Sequence, residues 1–156
     1  MRNFVLALTV CLLLGFTTPG FSGSPVPPTK EDKCPVCGMF VYKYPDWVCQ
    51  VHFKDGVHYF DGAKDMFKFL FDLDKYAPGK TREDVTAVFV TEYYDLEPVP
   101  VEGAWFVSDS DLYGPMGREL IPFAKKEDAE TFMKDHKGKA VLSFDQVTPQ
   151  VIETLD

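Results

Sequence analysis

Between Trp47 and Phe53 apolar and polar residues alternate, and the run stops at an Asp55-Gly56 pair. Trp47, Cys49, Val51 and Phe53 share one face and Val48, Gln50 and His52 the other, the period of two that belongs to a strand. Asp-Gly at the centre of Lys54-Asp55-Gly56-Val57 suits the positive-φ positions of a tight hairpin, so the chain is expected to return through His58-Tyr59-Phe60. Asp61 then stands where a helix cap is wanted, ahead of Ala63, Met66, Phe67, Leu70 and Leu73 at helical spacing. Residues 74–84, with Pro78-Gly79, read as a loop, and Val85 to Val90 as a third strand. The result is a ββαβ unit.

The second half repeats it. Gly103 to Val107 reads as a strand, and Glu119-Leu120-Ile121 leads to Phe123. A helix carrying Ala129, Phe132, Met133 and His136 is stopped by Gly138, and Ala140 to Phe144 closes with a strand. Setting Phe123 on Phe60 gives an offset of 63 residues, at which Asp128 falls on Asp65, Phe132 on Phe69, Met133 on Leu70, Asp135 on Asp72 and Met116 on Phe53. These matches point to an internal duplication. The fold class is therefore α+β, with two related ββαβ halves packed together after an N-terminal signal peptide. Pro98 and Pro100 break up the stretch 92–102 as a linker. The first unit is expected over 34–96 and the second over 97–156.

Arg2 followed by an apolar run from Phe4 to Phe16, with small residues around Ser22, reads as a secretory signal over 1–22. The run is too short to span a bilayer, and Leu8-Thr9-Val10 before Cys11 lacks the small residue that lipid attachment needs. The chain is thus expected to be exported, to the periplasm or the outer face of the cytoplasmic membrane. Residues 23–33 are Pro-rich and read as a mobile leader. Without its signal the chain carries 15 Lys and Arg against 24 Asp and Glu, a net −9, which disfavours nucleic acid or anionic lipid as a partner. Acidic clusters such as Glu92/Asp95/Glu97 and Asp109/Asp111 are expected as solvated surface.

Cys34-Pro35-Val36-Cys37-Gly38-Met39 places two thiols and a thioether within six residues. Such soft donors select Cu(I) over hard cations. Met116, in Gly114-Pro115-Met116-Gly117, lies in a turn, where core filling explains a methionine poorly. The working expectation is that the two places meet and hold copper, with Cys34, Cys37, Met39, Met116 and His52 as candidate ligands. Core packing explains Met39 equally well, and His52 reads nearly as well as a surface histidine.

Other readings stay open. Cys34, Cys37, Cys49 and His52 have the C-x2-C…C-x2-H form of a structural zinc site, although strand alternation points Cys49 and His52 to opposite faces. A thiol–disulfide oxidoreductase would place its C-x-x-C at a helix start, whereas Gly38-Met39-Phe40-Val41-Tyr42 reads as a strand. An exported docking module with Cys34 and Cys37 oxidised is the third, since export leads to an oxidising place. Three cysteines outside the signal do not make a complete disulfide framework. No Ser/His/Asp ordering, phosphate-cradling glycine loop or zinc-hydrolase spacing occurs, so no enzyme is expected.

Taken together, Cys34-Pro35-Val36-Cys37-Gly38-Met39, Tyr44-Pro45-Asp46-Trp47, Gln50-Val51-His52-Phe53, Phe60-Asp61-Gly62-Ala63-Lys64-Asp65-Met66 and Gly114-Pro115-Met116-Gly117 with Pro122-Phe123 resemble the NosL family. The resemblance runs over nearly the whole chain after the signal and implies two related ββαβ halves. It implies an exported Cu(I)-binding metallochaperone that supplies copper for the copper–sulfide centre of nitrous oxide reductase, working with an ABC-type transporter complex. The family's copper ligands match Cys34 and Met116. Many members have Asp where this chain has Cys37, which implies a site richer in sulfur. Many carry a lipobox cysteine that this signal lacks, so membrane association is expected only through a partner or an atypical anchor.

Overall fold

A computed structural model describes residues 23–156; the expected signal peptide lies outside the described residues. The Asp55-Gly56 hairpin forms as its sequence requires. Strand β1 (Cys49–Phe53) returns antiparallel as β2 (Gly56–Phe60), with Phe53 opposite Gly56. Helix α1 (Ala63–Phe71) and a single further turn, α2 (Leu73–Tyr76), follow, and β3 (Val85–Thr91) pairs with the other side of β1.

The stretch expected as a linker is partly an edge strand, β4 (Pro98–Pro100), paired to β3. Prolines two residues apart turn their missing N–H to the same side, so both fit an outer edge. The first sheet thus has the order β2-β1-β3-β4. Glu92, expected on the surface, is buried and accepts hydrogen bonds from the N–H groups of Tyr94 and Asp95 at 2.9 and 2.7 Å. Asp109, at φ 57°, pairs with Arg118 and Lys139.

In the second half β5 (Trp105–Gly114) and β6 (Gly117–Phe123) form a longer hairpin, α3 (Lys126–Asp135) follows, and β7 (Ala140–Ser143) pairs back onto β5. The order β6-β5-β7 repeats β2-β1-β3. Helices α1 and α3 start in step at the 63-residue offset. The hairpin turns do not, because β6 is two residues longer than β2. Gly114 faces Gly117, so Met116 matches Asp55 in the first turn, not Phe53. A last short helix, α4 (Pro149–Glu153), has no counterpart in the sequence reading.

Helix α1 lies between the two sheets, against β1 and β2 on one side and β6 and α4 on the other. One apolar core spans both halves, joining Phe60, Met66, Phe67 and Phe69 to Phe106, Leu120, Ile152 and Leu155. Phe67 meets Phe106 edge-on, with ring centres 5.2 Å apart. Each such buried ring stabilises the fold by about 1.5–3 kcal/mol. A second, smaller core packs Val107, Ile121 and Phe123 against Ala129 and Phe132 of α3.

The outer face of the first sheet is covered as well. The leader, expected to be mobile, lies across it, and the Val26 N–H donates to Gln50 Oε1 at 3.0 Å. Among the described residues no helix is long and apolar enough to cross a membrane.

Candidate metal centre

The Cys34–Met39 motif is a tight knuckle and not the start of a strand. Gly38 N–H donates to Cys34 O at 2.8 Å and Cys34 N–H to Met39 O at 2.9 Å, while Lys33 and Phe40 bridge its ends. Gly38 sits at φ 78°, where any other residue would be strained. The expected strand from Phe40 is a 3-10 turn, Val41–Lys43, followed by another at Pro45–Trp47. Proline at the head of the second turn lacks the N–H that a continuing strand would use.

The knuckle brings both thiols against the first turn of α1. Cys34 Sγ donates to Asp65 Oδ2 at 3.4 Å and Cys37 Sγ to Asp61 Oδ1 at 3.1 Å. One donor atom from each of Cys34, Cys37, Asp61 and Asp65 falls within a span of 4.8 Å, a group that can hold a metal ion. Two further observations fit that use. Asp61 Oδ2 is buried without a hydrogen-bond partner, a state that costs about 1–3 kcal/mol and that a cation would relieve. Backbone N–H groups also favour the charged form of the sulfurs: those of Cys37 and Val36 act on Cys34, and that of Met39 on Cys37.

Burial acts the other way and is stronger. It pushes the Cys34 thiol far above its usual range and the Cys37 thiol to about 12. Without metal both sulfurs therefore keep their protons and lend them to the two carboxylates. A cation bound here would displace these protons and be held by two thiolates. All three described cysteines are free thiols. Cys49 lies in the shared core and donates to Trp47 O at 3.6 Å, apart from the donor group.

Asp61 was expected to cap α1, but it makes no such bond. The cap comes from the other half of the molecule. Glu119 Oε1, on β6, accepts from Lys64 N–H at 2.5 Å and from Leu120 N–H at 2.9 Å. Glu119 reaches it by passing over Gly62, where a Cβ would come within 2.2 Å of Glu119 Oε2. Burial raises the Glu119 carboxyl to about 8, against the lowering effect of those two N–H groups.

The β5–β6 turn lies beside this end of α1. Lys64 Nζ donates to Met116 O at 3.0 Å, and Met116 shares a surface cleft with Asp65, Lys68 and Arg118. The thioether side chain is 42% exposed. Met39 is half-buried within the knuckle. His52 does not join the group: it lies on the outer face of the first sheet, with Nε2 2.9 Å from Gln50 Oε1 and its ring 5.3 Å from that of Phe89. The C-x2-C…C-x2-H zinc set is therefore not assembled.

Asp61 and Asp65 were missed as donors. Their signal was a pair of aspartates bracketing the helix start in Asp61-Gly62-Ala63-Lys64-Asp65, one just before the cap and one in the first turn. Lys64 and Glu119 left no comparable trace, because each is defined by a partner in the other half.

Two ββαβ units, one of which carries two thiols and two carboxylates able to hold a metal ion beside the seam between them, define an α+β protein with a candidate metal centre. The NosL family profile matches residues 25–152, and the chain belongs to the NosL family. It is 27% identical over 159 residues to the copper-binding lipoprotein NosL of Stutzerimonas stutzeri, a match covering 94% of this chain and 80% of that protein. Its fold is similar to the crystal structure of the copper chaperone NosL from Shewanella denitrificans, with a TM-score of 0.66 and 27% identity over 85% of this chain and 99% of that one.

Proposed function

We propose that this chain is an exported carrier of Cu(I), not an enzyme, and that it delivers copper for the copper–sulfide centre of nitrous oxide reductase together with an ABC-type maturation transporter. The observation that carries the reading is the convergence of Cys34 and Cys37 on the α1 end against which the Met116 turn also packs. The names of the two relatives support copper as the cargo, and the family resemblance supports the recipient. Cys34, Cys37 and Met116 supply soft sulfur of the kind Cu(I) prefers. The buried thiols retain the ion, while the exposed thioether offers a position at which a recipient's Cys, Met or His enters. A periplasmic location belongs to the same proposal.

One observation favours a second reading. Two carboxylates beside two thiols make a four-donor set that a tetrahedral Zn(II) can use. Anaerobic titration with Cu(I) and with Zn(II), counting thiols before and after, separates the two and also detects an oxidised, docking-only protein. The carrier reading expects one Cu(I) bound with both thiols consumed, and loss of that binding in Cys34→Ser. Unchanged competition against a Cu(I) chelator in Cys34→Ser would reject it.

A further inference from the structure

We infer that Lys64 is the positioning residue that brings Met116 to the copper site, by fastening the β5–β6 turn of the second half to the first turn of α1. The inference rests on the carrier reading. Lys64 is only 4% exposed, and a lysine is held at such burial only where its ammonium finds partners. Its Nζ donates to Met116 O at 3.0 Å and to Leu155 O at 3.1 Å, with Asp156 Oδ1 3.8 Å away. Its own N–H donates to Glu119, three residues beyond Met116 on the same hairpin. The next residue, Asp65, accepts from Cys34. One residue thus touches the turn that carries the thioether and adjoins the carboxylate that faces the thiol.

Two of the three oxygens around Nζ are backbone carbonyls, so its bonds fix the path of the chain as well as balancing charge. The Gly114-Pro115-Met116-Gly117 turn is closed by the pairing of Gly114 with Gly117, the latter at φ 89°. The Lys64 bond to the Met116 carbonyl ties this closed turn to α1. The other hairpin has no equivalent, for Glu127 stands at the matching position of α3 and is exposed. Holding the thioether in reach before the ion arrives lowers the entropy cost of recruiting it as a ligand.

A double-mutant cycle on the exported chain tests this, with anaerobic Cu(I) competed against bathocuproine disulfonate. Lys64→Leu and Met116→Leu should each weaken Cu(I) binding about tenfold, and the double variant should be no weaker than Met116→Leu alone. X-ray absorption at the copper edge should show one sulfur fewer in each single variant. The positioning role is overturned if Lys64→Leu weakens binding equally in the Met116→Leu background. It is also overturned if Lys64→Leu keeps the full sulfur count while Met116→Leu loses one. If neither Met116→Leu nor Cys34→Ser alters binding, the carrier reading itself falls, and this inference with it. Should Lys64→Leu fail to fold, the native protein with labelled methionine methyls still decides: cross-relaxation between Met116 and Lys64 is expected, and a freely averaging Met116 methyl without it would refute the inference.

Discussion

Helices α1 and α3 begin 63 residues apart and occupy the same place in their ββαβ units, but their surroundings differ. Helix α3 covers one face of its sheet and buries only Ala129 and Phe132. Helix α1 is walled in by both sheets and buries seven of its nine residues, Lys64 and Asp65 among them. Position by position, Phe67 corresponds to Glu130, Lys64 to Glu127, and Asp61 to the exposed Ala124. Asp65 has an aspartate partner in Asp128, yet Asp128 is only half-buried and faces no thiol. The difference teaches that the ββαβ unit alone does not make the site. The site arises where one copy's helix is enclosed by the other copy and closed by the cysteine knuckle that precedes it.

The largest expected asymmetry is in stability. Phe67→Ala should cost about 3–5 kcal/mol by denaturant unfolding, while Glu130→Ala should stay within about 0.5 kcal/mol, its 3.5 Å pair with Lys126 being exposed. Equal costs would mean that α1 is not enclosed.

The pH dependence of metal binding comes next. Burial raises both thiols of the knuckle, Cys37 to about 12, so both are protonated near neutrality and each bound ion must expel two protons. Apparent Cu(I) affinity should therefore rise with pH, by about a hundredfold per unit between roughly pH 6 and 8. A flat profile in chelator competition would show that the thiols are not displaced as pictured.

The smallest contrast is the most specific. Asp65→Asn should weaken metal binding about tenfold, in the range seen when a group beside a metal ligand is lost, whereas Asp128→Asn should leave it unchanged. Parallel titrations of the two variants show whether the carboxylate of only one repeat serves the ion.

Much of this architecture was legible in local pattern. The Asp55-Gly56 hairpin, the spacing of Met66, Phe67 and Leu70, and the echo of Phe69 in Phe132 are short-range signals that gave the ββαβ units and their repetition. Cys34 and Cys37 were found because soft donors packed into six residues have few other uses. What escaped notice depends on contacts distant in sequence. Pro98 and Pro100 look like strand breakers until an open edge accepts them. Asp61 reads as a cap unless Glu119, 58 residues later, is known to take that role. His52 looked available because alternation alone shows no leader lying across its face.

Gly62 sets a limit on all of this. Its backbone is extended, a shape open to any amino acid, so what the position requires is empty space and not conformational freedom. A Cβ there would stand 2.2 Å from Glu119 Oε2 and 2.9 Å from its carboxyl carbon. A single added carbon would therefore push the Glu119 carboxylate aside, and with it the hydrogen bond through which the second half caps α1.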